Sequence, residues 1–482
     1  MNVSIDKFLN IEKKYDLYHK EVEGIQCWQY IRFQLWNYKI CSEQLRLSSS
    51  RARLGKLDAA KKIISSLIFI LFHPDKNKLC KADVCFVAHE RRIKEEDYFE
   101  CIYTDKLATF FYPNSFVLEK PFRMGHLRPV KTKNLYYTDF LSVKAGLKCL
   151  FQMKFQTKYY RQVKEKVHRI FGEPLSEIIR EFNLSTELKA LEEQLIKIVL
   201  ECRTLQYYYM QVLNTIQPKV IVEVVGYSKM CMIINELAKK MGIITMELQH
   251  GTMHSEHAAY QYANDCQLIN QFPDMLLVFS DYWKHCVQVP IKKDMIKTVG
   301  FPYFERKLAQ YSHVQNSSIK NILFVSQGTI GKELSKMASE LNQLLDPSKY
   351  HIVYKLHPEE YFGWQERYPW LIQPTIEVVD SLEHNIYEYF AMSDIQVGVY
   401  STALFEGLGF GLFTYIYRIG HADTMKELCK QRYATFVESA SELSELIISE
   451  NENSGMKAGK FWESNGLENI KKEIEECLKR IR

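Results

Sequence analysis

Two short stretches gather chemistry-bearing side chains at the ends of apolar runs. Tyr354-Lys355-Leu356-His357-Pro358-Glu359-Glu360 closes the aromatic and β-branched run from Tyr350 to Leu356. Val399-Tyr400-Ser401-Thr402-Ala403-Leu404-Phe405-Glu406-Gly407 closes a second run that begins at Ile395. Both runs have strand character, and both then turn polar and read as helix starts. In open α/β sheets ligands sit beyond the carboxyl ends of the strands, where helix N-termini offer backbone N–H groups to an anion. His357 and Lys355 would add cationic or hydrogen-bonding groups there, while Ser401 and Thr402 would add hydroxyls and a helix cap. The pair of loops therefore suits the phosphate and sugar of a nucleotide.

A third stretch, Gln249-His250-Gly251-Thr252-Met253-His254-Ser255-Glu256-His257, follows the apolar run from Ile243 to Leu248. Three imidazoles and a carboxylate in one loop suit general-base chemistry, with His250, His254 and Glu256 as candidates. His254, Glu256 and His257 also have some metal-ligand character, but no second His or Cys cluster completes a site, so a base is favoured over a metal. Gly226 and Ser228, in the turn after the run from Lys219 to Val225, join Gln249 and Gly251 on the same side of the expected cleft.

The elements that must carry these loops alternate strand and helix, which argues for parallel sheets. Strands are expected at Val84–Ala88, Ser115–Leu118, Lys219–Val225, Ile243–Leu248, Met275–Ser280 and Ile296–Val299. A second set is expected at Ile322–Val325, Tyr350–Leu356, Ile376–Val379, Ile395–Tyr400, Phe413–Tyr417 and Thr435–Val437. The polar stretch Gln310 to Ser318 separates the two sets. The chain is thus read as a helical N-terminal segment (1–80), two doubly wound Rossmann-like domains facing across a cleft (81–305 and 306–450), and a C-terminal helix (451–482).

Within the first segment Trp28, Ile31, Leu35 and Tyr38 recur at helical spacing, and His73-Pro74 reads as a breaker. The apolar run Ile63 to Phe72 is too short to span a bilayer. It follows Arg46, Arg51, Arg53, Lys56, Lys61 and Lys62, so an interfacial membrane contact and a buried helix are both open. Residues Lys131 to Arg169 interleave ten basic residues with aromatics such as Tyr136, Phe151, Phe155 and Tyr159. That surface suits anionic lipid or a charged glycan, and equally a solvated helical face with an aromatic underside. His89 and Arg91 read as part of a charged turn.

Composition bounds the rest. At 482 residues the chain needs more than one core, and 46% hydrophobic with 25% charged residues is a globular balance. A net charge of +5 from 63 basic and 58 acidic residues gives no nucleic-acid signal. The 12 cysteines form no Cys-x-x-Cys pair, and Met1 to Asn10 is polar, so a reducing cytoplasm without a signal peptide is expected.

The run-His357-Pro358 followed by run-Ser401-Thr402 resembles the paired motifs of bacterial sialyltransferases and capsule Kdo transferases. Tyr387 to Glu406 is also similar to the CDP-glycerol glycerophosphotransferases. Gln249-His250-Gly251 and Val299-Gly300-Phe301-Pro302 resemble loops of capsular and surface-polysaccharide proteins of the GT-B fold. The resemblance spans roughly residues 80 to 450. It implies a bacterial glycosyltransferase in which His357, Ser401 and Thr402 hold the donor phosphate and Glu406 holds the ribose. Gln327, Gly328 and Thr329 would line the phosphates. It implies no cofactor: the nucleotide-sugar is a substrate, and no Asp-x-Asp motif calls for a metal. The implied partners are a CMP- or UDP-sugar donor and a glycan or lipid-linked glycan acceptor, with the protein cytoplasmic or peripheral on the inner membrane face. The sequence departs from the family patterns in lacking the acidic-acidic-Gly motif of many sialyltransferases and in carrying Gln-His-Gly where the glycerophosphotransferases carry Trp-His-Gly. An alditol-phosphate transferase, a nucleotide-sugar 2-epimerase and a non-catalytic nucleotide-binding partner in polysaccharide assembly are the alternatives.

Overall fold

The computed structural model describes residues 4–44, 56–72, 78–89, 92–122, 124–263, 269–311, 319–381, 383–449 and 460–480. The expected breaker His73-Pro74, the basic residues Arg46, Arg51 and Arg53, Arg91, and most of the polar stretch 310–318 lie outside these residues.

The inner apolar runs form strands packed on both faces, as in Val84–Val87, Ser115–Glu119 and Val220–Val224, each buried throughout. In chain order the strands are β1 (Val84–Val87), β2 (Ile93–Glu95), β3 (Tyr98–Glu100), β4 (Ser115–Glu119), β5 (Leu135–Tyr137), β6 (Val220–Val224), β7 (Ile244–Leu248), β8 (Met275–Val278) and β9 (Ile296–Thr298). The second set is β10 (Lys320–Val325), β11 (Tyr350–Lys355), β12 (Ile376–Val379), β13 (Ile395–Gly398), β14 (Phe413–Tyr417) and β15 (Thr435–Val437). Seven strands form one sheet in the order β5-β4-β1-β6-β7-β8-β9, and six form another in the order β12-β11-β10-β13-β14-β15. All pairings within both sheets are parallel. The chain is therefore an α/β protein of two Rossmann-like sheets, the GT-B arrangement expected from the sequence, preceded by a helical segment. The hairpin of β2 and β3, and the short half-buried edge strand β5, were not among the expected strands.

The N-terminal segment packs as core. Phe8, Trp28 and Trp36 are buried, Trp28 stacks on Phe171 at 6.3 Å, and Phe8 meets Phe182 edge-on at 6.5 Å. Tyr38 breaks the expected apolar face and is 46% exposed. The helix widens to π-geometry over Trp36–Ile40, and this shifts the phase of the residues that follow. At the centre of this segment the buried Glu12 carboxylate accepts from Trp28 Nε1 at 2.6 Å, Arg32 Nε at 2.7 Å and Arg32 Nη2 at 2.9 Å. Arg32 then reaches the carbonyls of Ala258 and Gln261, in the loop that follows β7.

At its other end the chain returns to the first sheet. Ile470, Ile474 and Cys477 of the helix Gly466–Arg480 pack in one apolar cluster with Val84, Val220 and Met246. Just before it, Trp462 stacks on Phe304 at 4.3 Å and donates to the Phe405 carbonyl at 3.1 Å. Gly300, at φ +92°, permits the close approach: a Cβ there would lie 2.3 Å from the Glu463 carbonyl oxygen. Beyond the turn after β1, Arg92 is buried and paired with Asp105 and Glu119.

Removing a partner from a buried ion pair strands the remaining charge. Arg32→Ala is expected to lower unfolding stability by about 3–5 kcal/mol, read by urea denaturation against wild type.

Candidate functional site

Because every strand in each sheet runs one way, all the loops that carry polar side chains leave from one edge. From the first sheet come His89 after β1, Lys120 after β4, Gly226-Tyr227 after β6 and Gln249-His250-Gly251 after β7. From the second come Gln327 to Thr329 after β10, His357 after β11 and Ser401-Thr402 after β13. The two edges touch: Thr252 N–H donates to Thr402 Oγ1 at 3.1 Å. A cleft of about 960 Å³ opens beside this contact, with His254, Tyr282, Phe405, His421 and Lys426 among its walls.

The second sheet's edge carries hydroxyls, an imidazole and a capped helix start. Ser401 caps the helix Thr402–Gly409, its Oγ accepting from Ala403 N at 3.2 Å. Thr329 Oγ1 and Tyr400 Oη share a 2.6 Å hydrogen bond that ties the β10 loop to the β13 loop. Gln327 Oε1 is buried with no hydrogen-bond partner among the described residues, and Gly328 lies beside it in the same turn. His357 stands two strands away on this edge. Its Nδ1 accepts from Glu359 N at 3.2 Å, which places the ring proton on Nε2 and makes that nitrogen a donor. Glu360 fixes this loop from below, accepting from His357 N at 2.9 Å and Tyr368 Oη at 2.8 Å. Glu406 takes the Tyr387 hydroxyl at 2.9 Å, and burial raises its carboxyl to about 7.

Lys355 differs from expectation. The strand's alternation turns it away from Tyr354, and its ammonium donates to Tyr361 Oη at 2.8 Å and the Ser381 carbonyl at 3.1 Å. Burial lowers it to about 8. It braces the second domain and is not aimed at a phosphate.

On the first sheet the structure separates the loop's candidates. His250 Nε2 lies 3.2 Å from Tyr227 Oη, and its carbonyl accepts from Tyr103 Oη at 2.9 Å. Burial, followed by the charges of His89 and Lys120, lowers its pKa to about 3, so the ring is neutral at pH 7. His254 is lowered to about 3 by burial, then by His257 and His421; the latter belongs to the second domain. Glu256 is corrected to a bracing role: its carboxylate accepts from Ile5 N at 3.0 Å, and its carbonyl accepts from Trp36 Nε1 at 2.8 Å. Gln249 also braces, donating to the Gly251 carbonyl at 2.9 Å and accepting from Phe279 N at 2.8 Å. Ser228 caps the helix Lys229–Met241. Gly226 allows close packing, since a Cβ there would lie 2.4 Å from Glu247 Oε2. Gly251 faces the second domain, with Thr402 Oγ1 3.5 Å from the position of a Cβ. Of this loop's candidates, His254 and Glu256 line the cleft, whereas His250 does not line it and meets Tyr227 instead. Among the described residues no group of three His, Cys, Asp or Glu side chains is arranged to hold a metal ion.

Sequence reasoning missed two carboxylates beneath this loop. Glu223 of β6 and Glu247 of β7 are register partners, 0% and 1% exposed. The signal was present: each is the lone acid in an otherwise uncharged strand, Val-Ile-Val-Glu-Val and Ile-Thr-Met-Glu-Leu. Burial, then the charge of Glu247, raises Glu223 to about 8; burial raises Glu247 to about 7.

No protein-family model matches the chain, and no curated protein matches it in sequence. Among solved structures it is similar to the UDP-GlcNAc 2-epimerase of Methanocaldococcus jannaschii, at 10% identity over 82% of this chain and 99% of that one, TM-score 0.49. The Neisseria meningitidis UDP-GlcNAc 2-epimerase bound to UDP-GlcNAc aligns at 9% identity over 82% and 99%, TM-score 0.46. The wall teichoic acid polymerase TagF aligns at 11% identity over 88% and 100%, TM-score 0.42. At these values the likeness does not reach individual residues, and the site rests on its own geometry.

Raised carboxyl pKa values make folding bind protons, so this contribution to stability is full below the ordinary value of 4.5 and is lost as pH rises through about 7 to 8. The buried histidines oppose it only below 6.5, their ordinary value. Between pH 6.5 and 8 wild type is therefore expected to lose stability, by at most about 1.4 kcal/mol per pH unit for each group. Glu223→Gln should flatten that slope in denaturation curves taken at several pH values.

Proposed function

We propose that this chain is a glycosyltransferase that moves a sugar from a CMP- or UDP-sugar to a growing capsule or other surface polysaccharide, without a metal. The observation that carries this reading is the meeting of the two sheet edges at Thr252 and Thr402. It sets the imidazole loop against the hydroxyl-rich helix start at Ser401-Thr402, with His254 and Glu256 of that loop, but not His250, His357 or Ser401, lining the adjoining cleft.

Glycosyl transfer must stabilise a departing phosphate. The N–H groups at the start of the helix Thr402–Gly409, the hydroxyls of Ser401 and Thr402 and the Nε2–H of His357 are fixed donors along one sheet edge. Fixed donors stabilise developing charge without reorganising at the moment of reaction. His250 or His254, neutral at pH 7, would take the proton of an acceptor hydroxyl on the other wall. Glu406, hydrogen-bonded to Tyr387 one turn into the helix, would receive the ribose hydroxyls.

A lipid-linked acceptor requires the protein to reach a membrane surface. Among the described residues no helix is long and apolar enough to cross one. Two packed helices, Lys56–Phe72 and Asp139–Phe155, joined by Ser66 and Asp139 at 2.7 Å, instead expose Ile64, Leu71, Phe72, Leu147, Leu150 and Phe155. Exposed Lys61, Lys62, Lys148 and Lys154 border them, a pattern suited to an anionic leaflet. The epimerase alternative differs in needing no acceptor, so it would isomerise the donor sugar when the donor is supplied alone.

Thermal shift with CMP, CDP, UMP, UDP and GDP in parallel should single out a cytidine or uridine nucleotide. His357→Ala and Ser401→Ala should each weaken that nucleotide by about 1.5–3 kcal/mol in titration calorimetry, and unchanged affinity in both would falsify the donor site. In co-sedimentation, phosphatidylglycerol vesicles should retain the protein and phosphatidylcholine vesicles should not. Leu150→Asp combined with Phe155→Asp should release it.

A further inference from the structure

Beneath the turn at Gly226 two carboxyl groups converge on one point. A Cβ at Gly226 would lie 2.9 Å from Glu223 Oε1 and 2.4 Å from Glu247 Oε2, so the close packing of this turn is what seals the pair from solvent. Glu223 Oε1 accepts from Asn235 Nδ2 at 2.8 Å. Glu247 Oε1 accepts from Gly226 N at 2.8 Å and Tyr260 Oη at 2.5 Å. The other oxygen of each is buried without a hydrogen-bond partner among the described residues. His250 lies on the same side: its Nδ1, likewise without a hydrogen-bond partner among the described residues, is 4.0 Å from Glu247 Oε1, while its Nε2 meets Tyr227 Oη.

The groups facing the pair come from every neighbouring element. The helix Lys229–Met241 brings Cys231, Asn235 and, at longer range, Lys239. The loop after β7 brings His250 and Tyr260, and the N-terminal segment brings Arg32, whose charge is already matched by Glu12. No cation is in hydrogen-bond contact with either acid among the described residues. Two adjacent carboxylates in such an enclosure hold one proton between them and carry a single charge.

We propose that Glu247 is the positioning residue for His250: its carboxylate, 4.0 Å from Nδ1, favours the proton there electrostatically and leaves Nε2 as the basic nitrogen, while the proton kept on Glu223 limits the pair to one negative charge. This rests on the reading of His250 as the base of the transfer. In that step the acceptor O–H electron pair forms the bond to the anomeric carbon, and the sugar–phosphate bond pair leaves with the phosphate. The proton goes to Nε2, directly or through the Tyr227 hydroxyl, and the imidazolium so formed is balanced by Glu247.

Infrared and histidine ¹⁵N NMR spectra of the full chain test this. In wild type, a protonated-carboxyl band should persist at pH 7 and lose intensity in Glu223→Gln. The neutral His250 ring, assigned by His250→Gln, should carry its proton on Nδ1. Glu247→Gln should lower the His250 pKa by one unit or more, a tenfold change in proton affinity, whereas Glu223→Gln should not lower it. Absence of the band in wild type, a proton on Nε2, or a His250 titration unmoved by Glu247→Gln overturns the proposal; the first two need no variant to fold. CMP and UDP titrations on the same samples separate this from the donor reading. If neither nucleotide binds wild type, the donor site fails whatever the spectra show; if one binds equally well to both variants, the spectra alone decide.

Discussion

Strand direction is the constraint from which the site follows. Thirteen strands in two sheets all pair in parallel, so each sheet has one edge where strands end and helices begin. Polar side chains that are remote in sequence, such as His250, Gln327, His357 and Ser401, are delivered to two facing edges with no long-range search by the loops themselves. Reversing a strand would send its loop to the far edge, where neither an imidazole nor a capped helix start could take part.

The second constraint is the cost of burying charge. The N-terminal segment holds an acid and a guanidinium at its core, Glu12 and Arg32, and spends the guanidinium's remaining donors on the backbone of residues 258 and 261. Ile5 and Trp36 hold Glu256 from the same side. The histidine loop is thus shaped by a segment more than two hundred residues away. Its three imidazoles, His250, His254 and His257, are kept neutral at pH 7 chiefly by burial.

Much of this was legible in the chain. Alternation of apolar runs with amphipathic stretches gave twelve of the strands, because a strand covered on both faces must be apolar throughout, as in Val84–Val87 and Val220–Val224. Ser401 was readable as a cap because a hydroxyl stood just before a helical run. Side-chain direction was not readable. Lys355 and His357 look equivalent in sequence, yet one faces the Ser381 carbonyl and the other closes its own loop through Glu359. Glu256 looked like a base because its partner, Ile5, lies 251 positions away. Tyr38 left the apolar face because one widened turn changes the helical phase. The acids Glu223 and Glu247 were visible only as exceptions inside strands, and which neighbour they meet is a matter of register.

The return of the chain to the first sheet has a mechanical consequence. Trp462 stands where the two lobes meet: its indole lies 5.0 Å from Phe279 of the first lobe and 4.3 Å from Phe304, and donates to the Phe405 carbonyl of the second. A slide of one lobe along the other would have to extract that indole. Rotation about that point would leave the indole seated, which is the geometry of a hinge-pin.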